Sequence, residues 1–82
     1  AKAHSPKLLV TIAAPAGPTH YQNLELNKIH SYLDWVNLMC YDFAGAGWTE
    51  MTNHHSALFK TMQGDPRFNC EEAVHYYLSQ GV

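Results

Sequence analysis

Charge is scarce in this 82-residue chain. Asp, Glu, Lys and Arg make up 15% of it, and its five Lys and Arg form no cluster or stripe. The electrostatic footprint of a nucleic-acid binder is missing. No apolar run approaches the ~20 residues that span a bilayer, so no membrane partner is expected. The amino terminus, Ala1-Lys2-Ala3-His4-Ser5-Pro6, has neither an initiator Met nor the apolar core of a signal peptide. A processed product or an excised piece is expected. Cysteine is limited to Cys40 and Cys70, too few for a disulfide framework and outside any close-spaced zinc pattern. Cys40 reads as a small buried hydrophobe in mid-strand, and the compartment stays open.

Other signatures are also missing. There is no Gly-x-Ser-x-Gly elbow, and Ala44-Gly45-Ala46-Gly47 lacks the Lys-Ser/Thr of a phosphate-cradling loop. Neither a nucleophile elbow nor a nucleotide cofactor is indicated. His54 and His55 point apart on any regular element, and no second ligand pair stands at helical spacing. No metal and no other cofactor is expected.

What is present is a hydrophobic content of 46% with 12% aromatics, the composition of one small globular domain. Lys7 to Ala14 is a near-continuous apolar run, as in a parallel strand buried on both faces, and Pro15-Ala16-Gly17-Pro18 ends it. Thr19 suits the N-cap of a short helical segment holding Tyr21 and Leu24. A second helix, Lys28 to Leu33 capped by Asn27, is expected to bury Ile29, Tyr32 and Leu33. Asp34 to Asp42 reads as the second strand. At the far end, Asn69 and Glu72 form a capping box, Glu71 and Glu72 favour the helix dipole, and Ala73, Val74, Tyr77 and Leu78 share an apolar face. Gly81 fits the left-handed position after that helix. The order β-α-β-α predicts two parallel strands. The segment 43–69 is long for a loop and too apolar for a linker. It is expected to pack over the strand ends, with a short helical turn near His55 to Lys60.

Two parallel strands and their helices cannot cover both faces of a sheet, so the chain reads as a slice of a larger α/β protein. Within it, Asn37-Leu38-Met39-Cys40-Tyr41-Asp42 is the most informative stretch. Alternation puts Asn37, Met39 and Tyr41 on one face and Val36, Leu38 and Cys40 on the other. Asp42 falls at the strand's carboxyl end, where α/β folds place binding residues. Two roles fit: a binding floor with a phenol and a carboxylate, or a core Met, a core Tyr and a turn Asp. Trp48 fits either a stacking platform for a sugar or aromatic ligand, or a loop anchor.

Four segments in order resemble the family 18 glycoside hydrolases, the chitinases, most closely those of fungal type. Leu9 to Pro18 is similar to the family's fifth barrel strand and its loop. Trp35 to Gly45 resembles the sixth strand with its Met-x-Tyr-Asp motif. Asn53-His54-His55-Ser56-Ala57-Leu58-Phe59 resembles the Gly-His-x-x-Asn-Leu stretch that follows, and Ala73 to Val82 the helix leading to the seventh strand. The resemblance implies a partial (β/α)8 TIM barrel, about two βα units of eight, with residues 1–82 forming part of a catalytic domain. The remainder of the barrel, typically about 250 residues in all, would be needed for a stable fold.

The resemblance further implies a retaining, substrate-assisted hydrolysis of β-1,4-linked N-acetylglucosamine in chitin. Tyr41 and Asp42 would be its catalytic residues, with Met39, Ala13 and Trp48 touching substrate. It implies chitin or its oligomers as partner, and secretion to the extracellular space. The family's acidic signature, Asp-x-x-Asp-x-Asp-x-Glu, is absent. None of Glu25, Glu50, Glu71 and Glu72 stands in such a context, so the isolated chain is expected to be inactive. Asn53 and Ala57 replace the usual glycine and asparagine, and Gly45-Ala46-Gly47-Trp48 has one residue more than the commoner spacing. A non-cleaving, chitinase-like lectin fits the same residues, as does an α/β fragment alike only in architecture.

Overall fold

A computed structural model describes residues 7–47, 49, 51–62 and 64–82. Strand β1 (Thr11–Pro15) leads to helix α1 (Pro18–Tyr21), helix α2 (Leu26–Ile29), a 3-10 turn (His30–Tyr32), strand β2 (Trp35–Met39) and, beyond a long loop, helix α3 (Cys70–Ser79). The strands pair in parallel, as expected, with Thr11 opposite Trp35 and Pro15 opposite Met39. Asp34 pins the start of the ladder. Its amide donates to the Val10 carbonyl, and its carboxylate accepts from the Val10 amide, each at 2.7 Å.

Both strands are shorter than the apolar runs suggest. In β1 the ladder begins at Thr11, not Lys7, and Leu8 and Leu9 remain exposed. β2 stops at Met39 because the Tyr41 amide donates back to the Met39 carbonyl at 2.9 Å. That tight turn centred on Cys40 ends the extended run, so Cys40 stands just past the strand rather than within it.

Helix starts also differ from expectation. α1 begins at Pro18, whose fixed φ suits the first helical position, with Gly17 at the N-cap and Thr19 inside. α2 begins at Leu26 without any side-chain cap at Glu25. The residue it buries is Leu26, at 0% exposure, while Tyr32 stands 77% exposed. Tertiary burial of one leucine outweighs the local capping signal at Asn27. Segment 43–69 likewise departs from expectation. Residues 55–60 hold a turn and no helix. Phe43, Ala44 and Ala57 are buried, whereas Met51, Leu58 and Phe59 are exposed.

α3 follows its sequence signals closely. The Asn69 side chain accepts from the Glu72 amide at 2.9 Å. The first-turn amides of Cys70 and Glu71 donate to the Ala57 and Leu58 carbonyls, so orphan donors of the helix end are satisfied by the loop. At the other end Val82 donates to Tyr77 and Gly81 to Leu78, with Gly81 at φ +94°, a Schellman closure that requires the left-handed backbone. Ala73 and Tyr77 are buried; Val74 and Leu78 of the same expected face are exposed.

The core gathers Ala14, Ala16, Tyr21, Leu26, Phe43, Ala73 and Tyr77. Tyr77 joins its ends: its hydroxyl donates to the Pro15 carbonyl at 2.6 Å, across 62 residues. Burial pushes the Tyr77 phenol up to about 12, with Tyr21, Tyr76 and Cys40 adding to the rise. The folded chain thus holds this proton more tightly than the unfolded one, whose phenol titrates near 10. The stabilisation is full below about pH 10 and is lost as pH rises through about 12. Replacing Tyr77 by Phe strands the Pro15 carbonyl and should cost about 1–3 kcal/mol near neutrality. It should also flatten the loss of stability in alkali. Denaturant unfolding of the full-length protein near neutrality and at about pH 11 checks both effects.

Candidate functional site

The carboxyl ends of two parallel strands open on one side, and the chain leaving each end lines a cavity of about 670 Å³. Pro15 and Gly17 border it from the β1 side, Met39, Tyr41 and Asp42 from the β2 side, and Phe68 from the segment before α3. Parallel strands create such a crevice because their connections leave from the same edge. Tyr41 is half exposed, so its phenol is accessible from the cavity. Ala13 and Asn37 pair across the ladder on the open face of the sheet, and neither lines the cavity. Trp48 lies outside the described residues.

Asp42 is the one non-glycine among the described residues with a positive φ, +59°. Asp tolerates this region better than most side chains, yet the conformation costs on the order of 1–2 kcal/mol. Its neighbour explains how it is held. His55 Nε2 lies 2.7 Å from Asp42 Oδ1 and 3.2 Å from the Asp42 amide nitrogen. One nitrogen cannot both donate to the carboxylate and accept from the amide. The shorter contact decides: a proton on Nε2 donates to Oδ1, a charge-assisted bond. The alternative tautomer would set a lone pair against a carboxylate oxygen.

Further bonds lace residues 40–43 to residues 55–56. The Phe43 amide donates to the His55 carbonyl at 2.9 Å, and the Ser56 hydroxyl donates to the Cys40 carbonyl. The imidazole also tilts over Tyr41, with ring centroids 6.4 Å apart. His55 therefore braces both residues that follow the turn after β2, Tyr41 and Asp42. Sequence reasoning placed His55 in a motif without this task. The partners are 13 residues apart in irregular backbone, where no periodicity links them.

Asp65 also borders the cavity, a residue the sequence did not single out. The Arg67 guanidinium bonds it through Nε and Nη2 and holds its carboxyl below the usual value. It stays an anion, already partnered. Among the described residues no three His, Cys, Asp or Glu side chains converge as a metal would require, and no helix is long and apolar enough to cross a membrane.

The strand ends thus present an open α/β crevice with a phenol and a braced carboxylate on one wall. The chain matches the model of glycosyl hydrolases family 18 over residues 1–82 and belongs to that family. It is 38% identical to Chitinase 1 of Aphanocladium album, over 100% of this chain and 19% of that protein. It is 40% identical to Endochitinase 1 of Metarhizium robertsii, over 89% of this chain and 18% of that protein. The chain thus spans about a fifth of the length of these relatives. Among solved structures, YKL-39, crystallised in the presence of chitooligosaccharides, superposes with a TM-score of 0.83 at 33% identity, over 98% of this chain and 24% of that one. Chitinase ChiA74 from Bacillus thuringiensis gives 0.78 at 38% identity, over 93% and 12%. Family and overlaps together assign the chain a TIM-barrel-type α/β fold.

Proposed function

We propose that this chain forms the fifth and sixth βα units of a chitinase barrel whose full-length protein cleaves β-1,4-N-acetylglucosamine linkages with retention. The observation that carries the reading is the joint placement of Met39, Tyr41 and Asp42 on one wall of the cavity at the strand ends. Matching relatives that are named chitinases supply the substrate class. In this reading the substrate's own N-acetyl carbonyl attacks the anomeric carbon. Tyr41 donates to that carbonyl, orienting it and stabilising charge as it develops. Asp42 hydrogen-bonds the sugars, Met39 floors the cleavage point, Ala13 borders it, and Trp48 stacks a sugar on the product side. The proton donor is supplied by a glutamate from a strand preceding Ala1, and the protein acts outside the cell.

Hydrolysis of a soluble chitin oligomer by the full-length protein, with the β-anomer formed first, is the expected result. Binding of the oligomer without cleavage would instead support the non-cleaving, lectin-like reading. His55 is the positioning residue for Asp42. Replacing it by Ala releases the carboxylate from a strained backbone and should lower turnover by up to ~10²-fold. The Gln variant, which keeps a donor at a similar reach, should recover part of that loss. Equal loss in both variants counts against the brace.

A further inference from the structure

Asp65, Pro66, Arg67 and Phe68 form one turn, closed by the Phe68 amide donating to the Asp65 carbonyl at 3.2 Å. Asp suits the first position of such a turn and Pro the second, where its φ is already set. The Asp65 side chain closes the turn again, its Oδ1 accepting from the Arg67 amide at 2.9 Å. Asn69, 1% exposed, donates to the Pro66 carbonyl while its oxygen caps α3. The turn is therefore fixed to the start of that helix.

Asp65 and Phe68 both border the cavity. The Phe68 ring is seated between Gly17 and Phe43. A Cβ at Gly17 would stand 3.3 Å from Phe68 Cε1, and the Phe43 ring meets it edge-on with centroids 6.2 Å apart. Arg67 bonds the Asp65 carboxylate through Nε, at 3.1 Å from Oδ1 and 3.2 Å from Oδ2, and through Nη2, at 2.8 Å from Oδ2. An ionised carboxylate has about four acceptor sites. Oδ1 uses two of them, on the Arg67 amide and Nε, and Oδ2 takes Nη2 with a share of Nε. One site on Oδ2 remains, on a side chain that keeps 30% of its surface exposed.

We propose that Asp65 is a substrate-contact residue, its open Oδ2 site accepting a hydrogen bond from an N-acetylglucosamine unit seated in the cavity. The inference rests on the chitinase reading and adds to it a carboxylate from a segment other than β2. An ionised carboxylate accepts and never donates, so the group it takes is a sugar hydroxyl or the acetamide N–H. Such charge-assisted bonds are the stronger kind. Pinned in advance by its turn and by Arg67, the carboxylate loses little freedom when the ligand arrives, and more of the bond appears as affinity. The Phe68 ring supplies the apolar surface that binding pockets place around a few polar groups. Arg67 is a positioning residue, which aims the carboxylate and holds it ionised.

Calorimetry of a chitin oligomer binding to the full-length protein tests the contact, in the Tyr41→Phe background where turnover is slow. Asp65→Ala should weaken binding by about 10–100-fold, as expected for one hydrogen bond to a charged group. Arg67→Ala leaves the carboxylate and its bond to the backbone amide, and should weaken binding a few-fold at most. Asp65→Asn keeps the shape of the turn. Its one oxygen goes to Arg67 and its NH2 meets the ligand as a donor, so affinity should fall here too. This variant decides where Asp65→Ala fails to fold. Unchanged affinity in the Asp65 variants overturns the proposal and leaves the chitinase reading in place. So does an equal loss in Asp65→Ala and Arg67→Ala, since the pair then serves only to hold the turn. Failure of the parent protein to bind the oligomer at all overturns the chitinase reading, and this contact with it.

Discussion

Replacing Tyr41 by Phe in the full-length protein should lower turnover of a chitin oligomer by about 10²–10³-fold, the loss seen when one preorganised donor is removed from developing charge. Affinity should change little. The phenylalanine keeps the ring that packs beside His55, where the centroids are 6.4 Å apart, so the wall of the cavity persists. Only the hydroxyl is lost. If that hydroxyl donates chiefly in the transition state, kcat and kcat/KM fall together while KM stays near its wild-type value. A variant of unchanged rate would remove Tyr41 from the chemistry. Weaker binding at unchanged rate would make it a sugar contact only, as in a lectin.

The brace behind Tyr41 is what the sequence could least convey. α3 was legible because its signals are local: Asn69 bonds an amide three residues on, and Gly81 takes the positive φ its type allows. The two strands were legible as apolar runs, and their parallel order followed from the connection between them. Their ends were not. The turn at Cys40 that halts β2 depends on a backbone bond, and periodicity continues past it. α2 was misplaced because Leu26, fully buried, is chosen by its neighbours in space. The His55–Asp42 contact crosses irregular backbone over 13 residues. Pairings of that kind belong to tertiary structure, and no residue spacing announces them.

The isolated 82-residue chain should show no cooperative unfolding transition and no turnover of chitin oligomers. Among the described residues its sheet has two strands, joined only to each other, and parallel pairs need both faces covered. Here one face carries the core while Trp35 stands half exposed on the other. The core itself is thin: alanines fill much of it, and Leu26 is its one large, fully buried aliphatic side chain among the described residues. The radius of gyration is 14.8 Å, against about 12 Å for a compact domain of this length. Leu9, Leu58, Phe59 and Leu78 are each about 60% exposed, as surfaces are that pack against further units. Without those units the hydrophobic gain falls short of the chain entropy that folding removes. Heating the isolated chain should therefore give a broad, shallow change in ellipticity. A sharp transition with well-dispersed amide signals would show that these two units fold alone, and the exposed leucines would then mark a surface for a different partner.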